Sequence, residues 1–136
     1  VTIGRGSTSA GQAVVEMALV VPIMLAIIFG FLGLLLWLET AHDLRAAIAL
    51  ASTTAATFRD DSAAATAAES DTFYGTMRQY PYVDIQRFSC GHADVRVSCT
   101  ASAVLRFDRT PLSVAWPANP TLTAAAVSYS SAFRTR

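Results

Sequence analysis

Met17 through Leu38 is a run of 22 residues without a charged side chain, and it limits what the chain can become. As an α-helix rising 1.5 Å per residue, it reaches about 33 Å, enough to cross a hydrocarbon core of roughly 30 Å. A core helix of a small soluble domain is rarely apolar all round over such a length. A cleaved secretory signal has a shorter apolar core, about 7–15 residues, followed by small residues at the cut. Here Glu39 and Thr40 follow instead. The run therefore reads as one retained span, from about Ala13 to Leu38. Trp37 at its distal end suits a membrane interface. Pro22, Gly30 and Gly33 lie inside it, where membrane helices tolerate them. Gly30 and Gly33 are spaced G-x-x-G, not G-x-x-x-G, so they signal helix dimerisation only weakly.

Composition follows from that run. Hydrophobic residues make up 53% of the 136 and charged residues 15%, against about 25% charged in soluble domains. Outside the run the chain is rich in alanine, threonine and serine. Ten basic and ten acidic residues cancel, which argues against a nucleic-acid binder with its basic face; Arg134 and Arg136 are too few to make one. Arg5 flanks the span on its N side, and Glu39 and Asp43 on the other, with Arg45 diluting the contrast. The positive-inside rule then predicts a cytoplasmic N-terminus and an extracytoplasmic remainder. The first residue is Val1, which fits a processed fragment or a GTG start codon translated literally, both compatible with a bacterial gene.

Glu16 is the one acidic residue at the head of the apolar stretch. A carboxylate there either marks the interface or has a function, because ionisable groups near a span are costly. Its neighbours bear on that choice. In Gly11-Gln12-Ala13-Val14-Val15-Glu16 the glutamate follows a glycine by five residues, after a short polar segment and before a long apolar helix. This resembles the processing site of prepilins of the type IV pilus superfamily. Glu16-Met17-Ala18-Leu19-Val20-Val21-Pro22 further resembles the E-x-A-L-x-x-P signature of TadE-like proteins, pseudopilins of tight-adherence pilus systems. The motif-bearing likeness covers roughly residues 11–58. It implies cleavage between Gly11 and Gln12 by a prepilin peptidase, and a role in assembly for Glu16 and Pro22. After such a cut Gln12 carries a free amine, and a neighbouring subunit's Glu16 can offset the cost of burying that charge. The leader departs from the pattern in carrying a single arginine.

Beyond the span, Glu39 to Phe58 lacks Gly and Pro and is rich in alanine, the best helix former. Leu44, Ile48, Ala51 and Ala55 trace an apolar face. Leu38, His42, Arg45, Ala49 and Ser52 trace a mixed one. One continuous helix is predicted from about Gln12 to Phe58, about 70 Å long. Arg59-Asp60-Asp61-Ser62 is a break with N-cap candidates. A second helix is predicted from Ala63 to about Tyr80, with Phe73, Met77 and Tyr80 packing against the sheet of a head domain; Gly75 weakens its second half.

Pro81 ends the helical region. Strands are predicted over Tyr82–Ser89, over Val95–Phe107 with clean alternation, and over Leu122–Ser130. The Pro111–Pro120 segment reads as a loop with Trp116 as an anchor. Cys90 and Cys99 can pair if the head faces an oxidising compartment, and are otherwise buried thiols. Cys90, His92 and Cys99 lack a fourth ligand and standard metal spacing, so no metal and no other cofactor is expected. His42 beside Asp43 reads as a solvated helix face. The glycines of the leader lack the Lys-Ser/Thr ending of a phosphate loop, and Pro120 excludes Asn119 as a glycosylation acceptor.

The expected architecture is α+β. It comprises a leader at 1–11, a transmembrane helix at 12–38, a helical stalk at 39–60 and a head at 61–136 with a small antiparallel sheet. The expected function is structural rather than enzymatic: a minor pilin or pseudopilin in the bacterial inner membrane. Its expected partners are the membrane, other pilus subunits and a prepilin peptidase, with no nucleic acid and no small-molecule substrate. The alternative is a single-pass anchored binding or scaffold protein unconnected with pili.

Overall fold

The computed structural model describes residues 8–58, 62–116 and 118–130. The leader arginine Arg5, the break residues Arg59-Asp60-Asp61 and the terminal Arg134 and Arg136 lie outside them. The first element, α1, is one helix from Thr8 to Ala55. Its 48 residues make a rod of about 72 Å. Pro22 sits inside it without ending it; the proline removes one backbone donor and frees one carbonyl, which costs least near a helix end or in a packed setting.

After the break, α2 runs Ala63–Met77. Ser62 caps it, its hydroxyl accepting from the Ala65 N–H at 3.2 Å, which satisfies one of the orphan donors of the first turn. The helix ends three residues short of Tyr80. Its Ala65, Phe73 and Met77 are buried. This stripe packs mainly along α1, and it meets the sheet through Phe73, whose ring stacks on Phe88 at 4.2 Å. The expectation that α2 lies chiefly on the sheet is thereby corrected: α1 is the nearer apolar surface.

Three antiparallel strands follow in the order β1-β2-β3: β1 Val83–Ala93, β2 Arg96–Leu105 and β3 Thr121–Tyr129. A two-residue turn, Asp94-Val95, joins β1 to β2, and Asp94 adopts φ 55°. Aspartate tolerates that left-handed region better than most residues. The alternation read in the sequence holds in β2, where Val97, Cys99, Ala101, Ala103 and Leu105 are all buried on one face. In β1 a bulge between Ile85 and Arg87 shifts the register by one residue. Val83 and Ile85 face inward before it; Phe88 and Cys90 do so after it. A period of two cannot show such an insertion in advance. Cys90 and Cys99 are direct cross-strand partners, joined by a disulfide.

The upper part of α1 supplies the floor of the head. Leu44, Ala47, Ile48, Ala51 and Ala55 recur at helical spacing and are fully or almost fully buried. The three alanines let the helix approach the sheet closely, and Leu44 and Ile48 each contribute about 1.5–3 kcal/mol by burial. Strand β3 runs alongside α1 in the same direction: Leu122 lies beside Trp37, Ala41 and Leu44, and the Ser128 hydroxyl meets that of Ser52 at 2.7 Å. The Ser52 hydroxyl also bonds the Ala49 carbonyl at 2.9 Å, and that of buried Thr40 donates to the Leu36 carbonyl at 2.7 Å. Ser52 thus belongs to the packed face and not to the mixed face assigned from spacing.

Between β2 and β3 the chain makes two 3-10 turns, Phe107–Arg109 and Pro111–Val114. The predicted loop is therefore structured. It is pinned where it leaves and returns: the Phe107 N–H donates to Asn119 Oδ1 at 2.9 Å and the Leu105 N–H to the Pro120 carbonyl at 3.0 Å.

Candidate functional site

The candidate functional surface is α1, and its environment changes along its length. From Val14 to Leu32 every residue except half-buried Gly30 is exposed, around the whole circumference. Even the least exposed large side chain below Leu32, Phe29, shows 39% of its surface. These 19 residues span about 28 Å, close to the roughly 30 Å of a hydrocarbon core. Exposed apolar surface on this scale is covered in a working protein, by lipid or by other helices. By length and composition the helix can cross a membrane.

At the lower end, the bond between Gly11 and Gln12 lies one turn inside α1. Gly11 is exposed and its surroundings are open; the Gln12 side chain lies outside the described residues. The first four N–H groups of a helix have no intrahelical partner, so this turn frays at small cost. Glu16 is exposed one turn further on, and among the described residues it has no hydrogen-bond or ion-pair partner. Its carboxylate is available to a group supplied from outside the chain. Pro22 lies in the bare segment, six residues above Glu16, and faces open surroundings.

At the upper end, the head reaches down along one side of the helix. The Trp116 indole lies directly on the backbone at Gly33, and an added Cβ there would overlap its ring nitrogen. Gly33 is buried by this contact. Trp116 also stacks on Phe107, ring centroids 5.2 Å apart. The indole N–H is buried and has no acceptor among the described residues; lying against a glycine face, the ring trades that bond for close packing. The loop anchor expected at Trp116 is therefore real, and its counterpart is Gly33, a partner no local pattern announces. A glycine inside a helix is the one signal that could have raised the question, since it costs about 1 kcal/mol against alanine unless something approaches closely. Gly30, by contrast, faces open space.

Trp37 is half-buried and packs against the core, so it supports the head rather than lying free at an interface. Leu34, Leu35 and Leu38 remain exposed. The apolar run thus has a fully bare part, up to Leu32, and a part shared between the head and the surroundings.

Just above lies a small polar cluster. The Tyr80 hydroxyl donates to the Asp43 carboxylate, whose other oxygen is 3.2 Å from His42 Nδ1. The Tyr80 bond, and after it the one from His42, hold the Asp43 carboxyl below its ordinary value. The same bond, followed by burial and the charge of Asp43, pushes the Tyr80 phenol up to about 12. Burial, followed by the charges of Glu39 and Asp43, raises Tyr82. A second cluster forms at the strand ends, where Arg106 bonds Asp108 and Asp84, and Arg109 bonds Asp84 at 3.0 Å. This pins the first 3-10 turn to β1. Both clusters are arranged to tie elements together, and neither brings a nucleophile and a base into a cleft.

Residues 11–52 match the family model described as TadE-like protein. The matched segment starts at Gly11 and includes Glu16, Pro22, Gly33 and the stalk as far as Ser52. It coincides with α1 from its first turns to near its end, and the head lies beyond it. No curated protein and no solved structure matched the chain.

Proposed function

We propose that this chain, whose long N-terminal helix is TadE-like, is a membrane-anchored subunit of a tight-adherence pilus or a related secretion apparatus, a minor pilin or pseudopilin that acts by assembly rather than by catalysis. One observation carries the reading. The family match falls on the helix whose lower 28 Å or so is bare on every side, with a glutamate at its base that has no partner among the described residues. Such a helix is stable in lipid, and it is equally stable packed among identical helices. A subunit stored in the membrane and later moved into a filament needs both properties.

In this reading the N-terminus is cytoplasmic, the anchoring membrane is the bacterial inner membrane and the head is displayed outside. A prepilin peptidase cuts between Gly11 and Gln12, and the first turn of α1 unwinds to admit the bond. Glu16 then accepts the new amine of a neighbouring subunit, an interaction that gains strength as water and ions are excluded. Sequencing the amino terminus of the protein from its native membrane tests the processing step: Gln12 is the expected first residue, and an intact leader sinks it. The assembly role of Glu16 is tested by Glu16→Ala. Membrane insertion should survive and co-purification of pilus subunits should fall; unchanged association would remove Glu16 from the mechanism.

A further inference from the structure

An open groove of about 610 Å³ lies where the head overhangs α1. Its volume is within the about 300–1,000 Å³ range of ligand sites. Leu32 and Leu35 of the helix form one apolar wall; Pro111 and Leu112 of the second 3-10 turn form the other. The polar rim is made by Glu39 and Arg109, two opposite charges. The groove therefore joins the bare lipid-facing surface of the helix at its lower side and carries both signs of charge beside it.

Depth fixes what meets this groove. With the bare segment from Val14 to Leu32 filling the hydrocarbon, Leu32 and Leu35 fall at the boundary on the head's side, and Glu39 lies about 6–10 Å above them. That is the zone of glycerol and headgroup. Among the described residues Arg109 bonds Asp84 through Nη1 alone, which leaves Nε and Nη2 to bond a phosphate in the fork geometry that guanidinium favours. Glu39 is exposed and carries no hydrogen bond among the described residues. A purely anionic headgroup would meet its repulsion, whereas an ammonium would be attracted.

We propose that this groove holds one phospholipid of the head-side leaflet with an amine-bearing zwitterionic headgroup, phosphatidylethanolamine in kind. The upper acyl chain lies between Leu32, Leu35 and Leu112, the phosphate on Arg109 and the ammonium on Glu39. The bound lipid fills the gap under the overhang and holds the head at a fixed height on the membrane. This rests on the membrane anchorage proposed above, and the test separates the two.

The full-length protein is reconstituted in vesicles of equal parts phosphatidylethanolamine and phosphatidylglycerol, floated on a density gradient, then released gently for native mass spectrometry. Flotation reports anchorage, and a protein left at the bottom overturns that reading first. For floated protein, one retained phosphatidylethanolamine per chain is expected. Arg109→Gln should lower the retained fraction roughly tenfold, the usual weight of a hydrogen bond to a charged group. Glu39→Gln should erase the preference over phosphatidylglycerol. Leu112→Trp, which fills the groove, should abolish retention while flotation and the circular dichroism of the head stay unchanged. No retained lipid, or retention indifferent to all three substitutions, overturns the proposal. So does a lipid-free dimer lost in Leu112→Trp, since that outcome places a second copy in the groove.

Discussion

Below Gly33, α1 shows apolar side chains on every side; above it, the same helix buries one face and leaves the other exposed, with Leu34, Leu35, Leu38 and Leu50 among polar residues and alanines. No break in the backbone separates the two halves. The lower half has Val, Leu, Ile and Phe around its whole circumference, so no single partner surface could cover it. The upper half has a stripe of Leu44 and Ile48 with alanines between, and one layer of protein covers that stripe. Helical geometry is common to both, and the arrangement of side chain size decides whether a half is solvated by lipid or by its own head.

Identical substitutions in the two halves give the sharpest break. Ile48 is fully buried and Ile28 is 48% exposed. Ile48→Ala is expected to destabilise the head by about 3 kcal/mol, read as a lowered melting temperature in detergent. Ile28→Ala should leave that temperature unchanged; an equal loss at both positions would mean the lower half also packs within the chain.

The disulfide belongs wholly to the head, and closes a separation of nine residues. Cys90→Ala with Cys99→Ala is expected to cost about 2.5 kcal/mol through the unfolded chain. Helicity of α1 and membrane retention should not change, as circular dichroism and flotation would report.

At the junction, Gly33→Ala must displace the Trp116 ring, whereas Gly30→Ala meets nothing. The first should cost about 2 kcal/mol by overpacking and change tryptophan emission; the second should be neutral or slightly stabilising. Equal behaviour of the two glycines would remove the boundary that Gly33 marks.

The smallest effect concerns Tyr80→Phe, about 1 kcal/mol for a partly exposed bond to a charged group. The signs of its pH dependence follow from the shifts. Asp43 is lowered in the folded protein, so its stabilisation is present above the ordinary aspartate value and is lost as pH falls through the lower, folded one. Tyr80 is raised to about 12, so its share is present below the ordinary phenol value, about 10, and is lost as pH rises through about 12. Removing the hydroxyl should flatten both limbs of a stability-against-pH curve for the head, with the lower half of α1 unaffected.

Much of this fold is legible in one dimension because the forces behind it act locally. The bare span follows from 22 uncharged residues, the second helix from its Ser62 cap, and β2 from alternation that needs no neighbour to be seen. The positions that the family resemblance singles out, Gly11 and Gln12 for processing and Glu16 and Pro22 for assembly, rest on order and spacing along one stretch of chain, and Gly11, Glu16 and Pro22 are exposed in the structure. The sequence offers Cys90 and Cys99 as a pair only if the head faces an oxidising compartment; the two-residue turn that sets them opposite each other belongs to the structure. The β1 bulge was not legible, because an inserted residue such as Gln86 shows only when the partner strand is laid beside it.

What tertiary structure alone decided is where the head meets the helix. Trp116 lies 83 positions from Gly33, Ser128 lies 76 from Ser52 and Tyr80 lies 37 from Asp43. Each contact joins residues whose own neighbours carry no sign of the other, because packing against a distant surface leaves no period in the chain. The span read from the sequence could therefore place the protein at a membrane, and the Trp116–Gly33 contact, formed only once the sheet is folded onto α1, sets how far down that span the head descends.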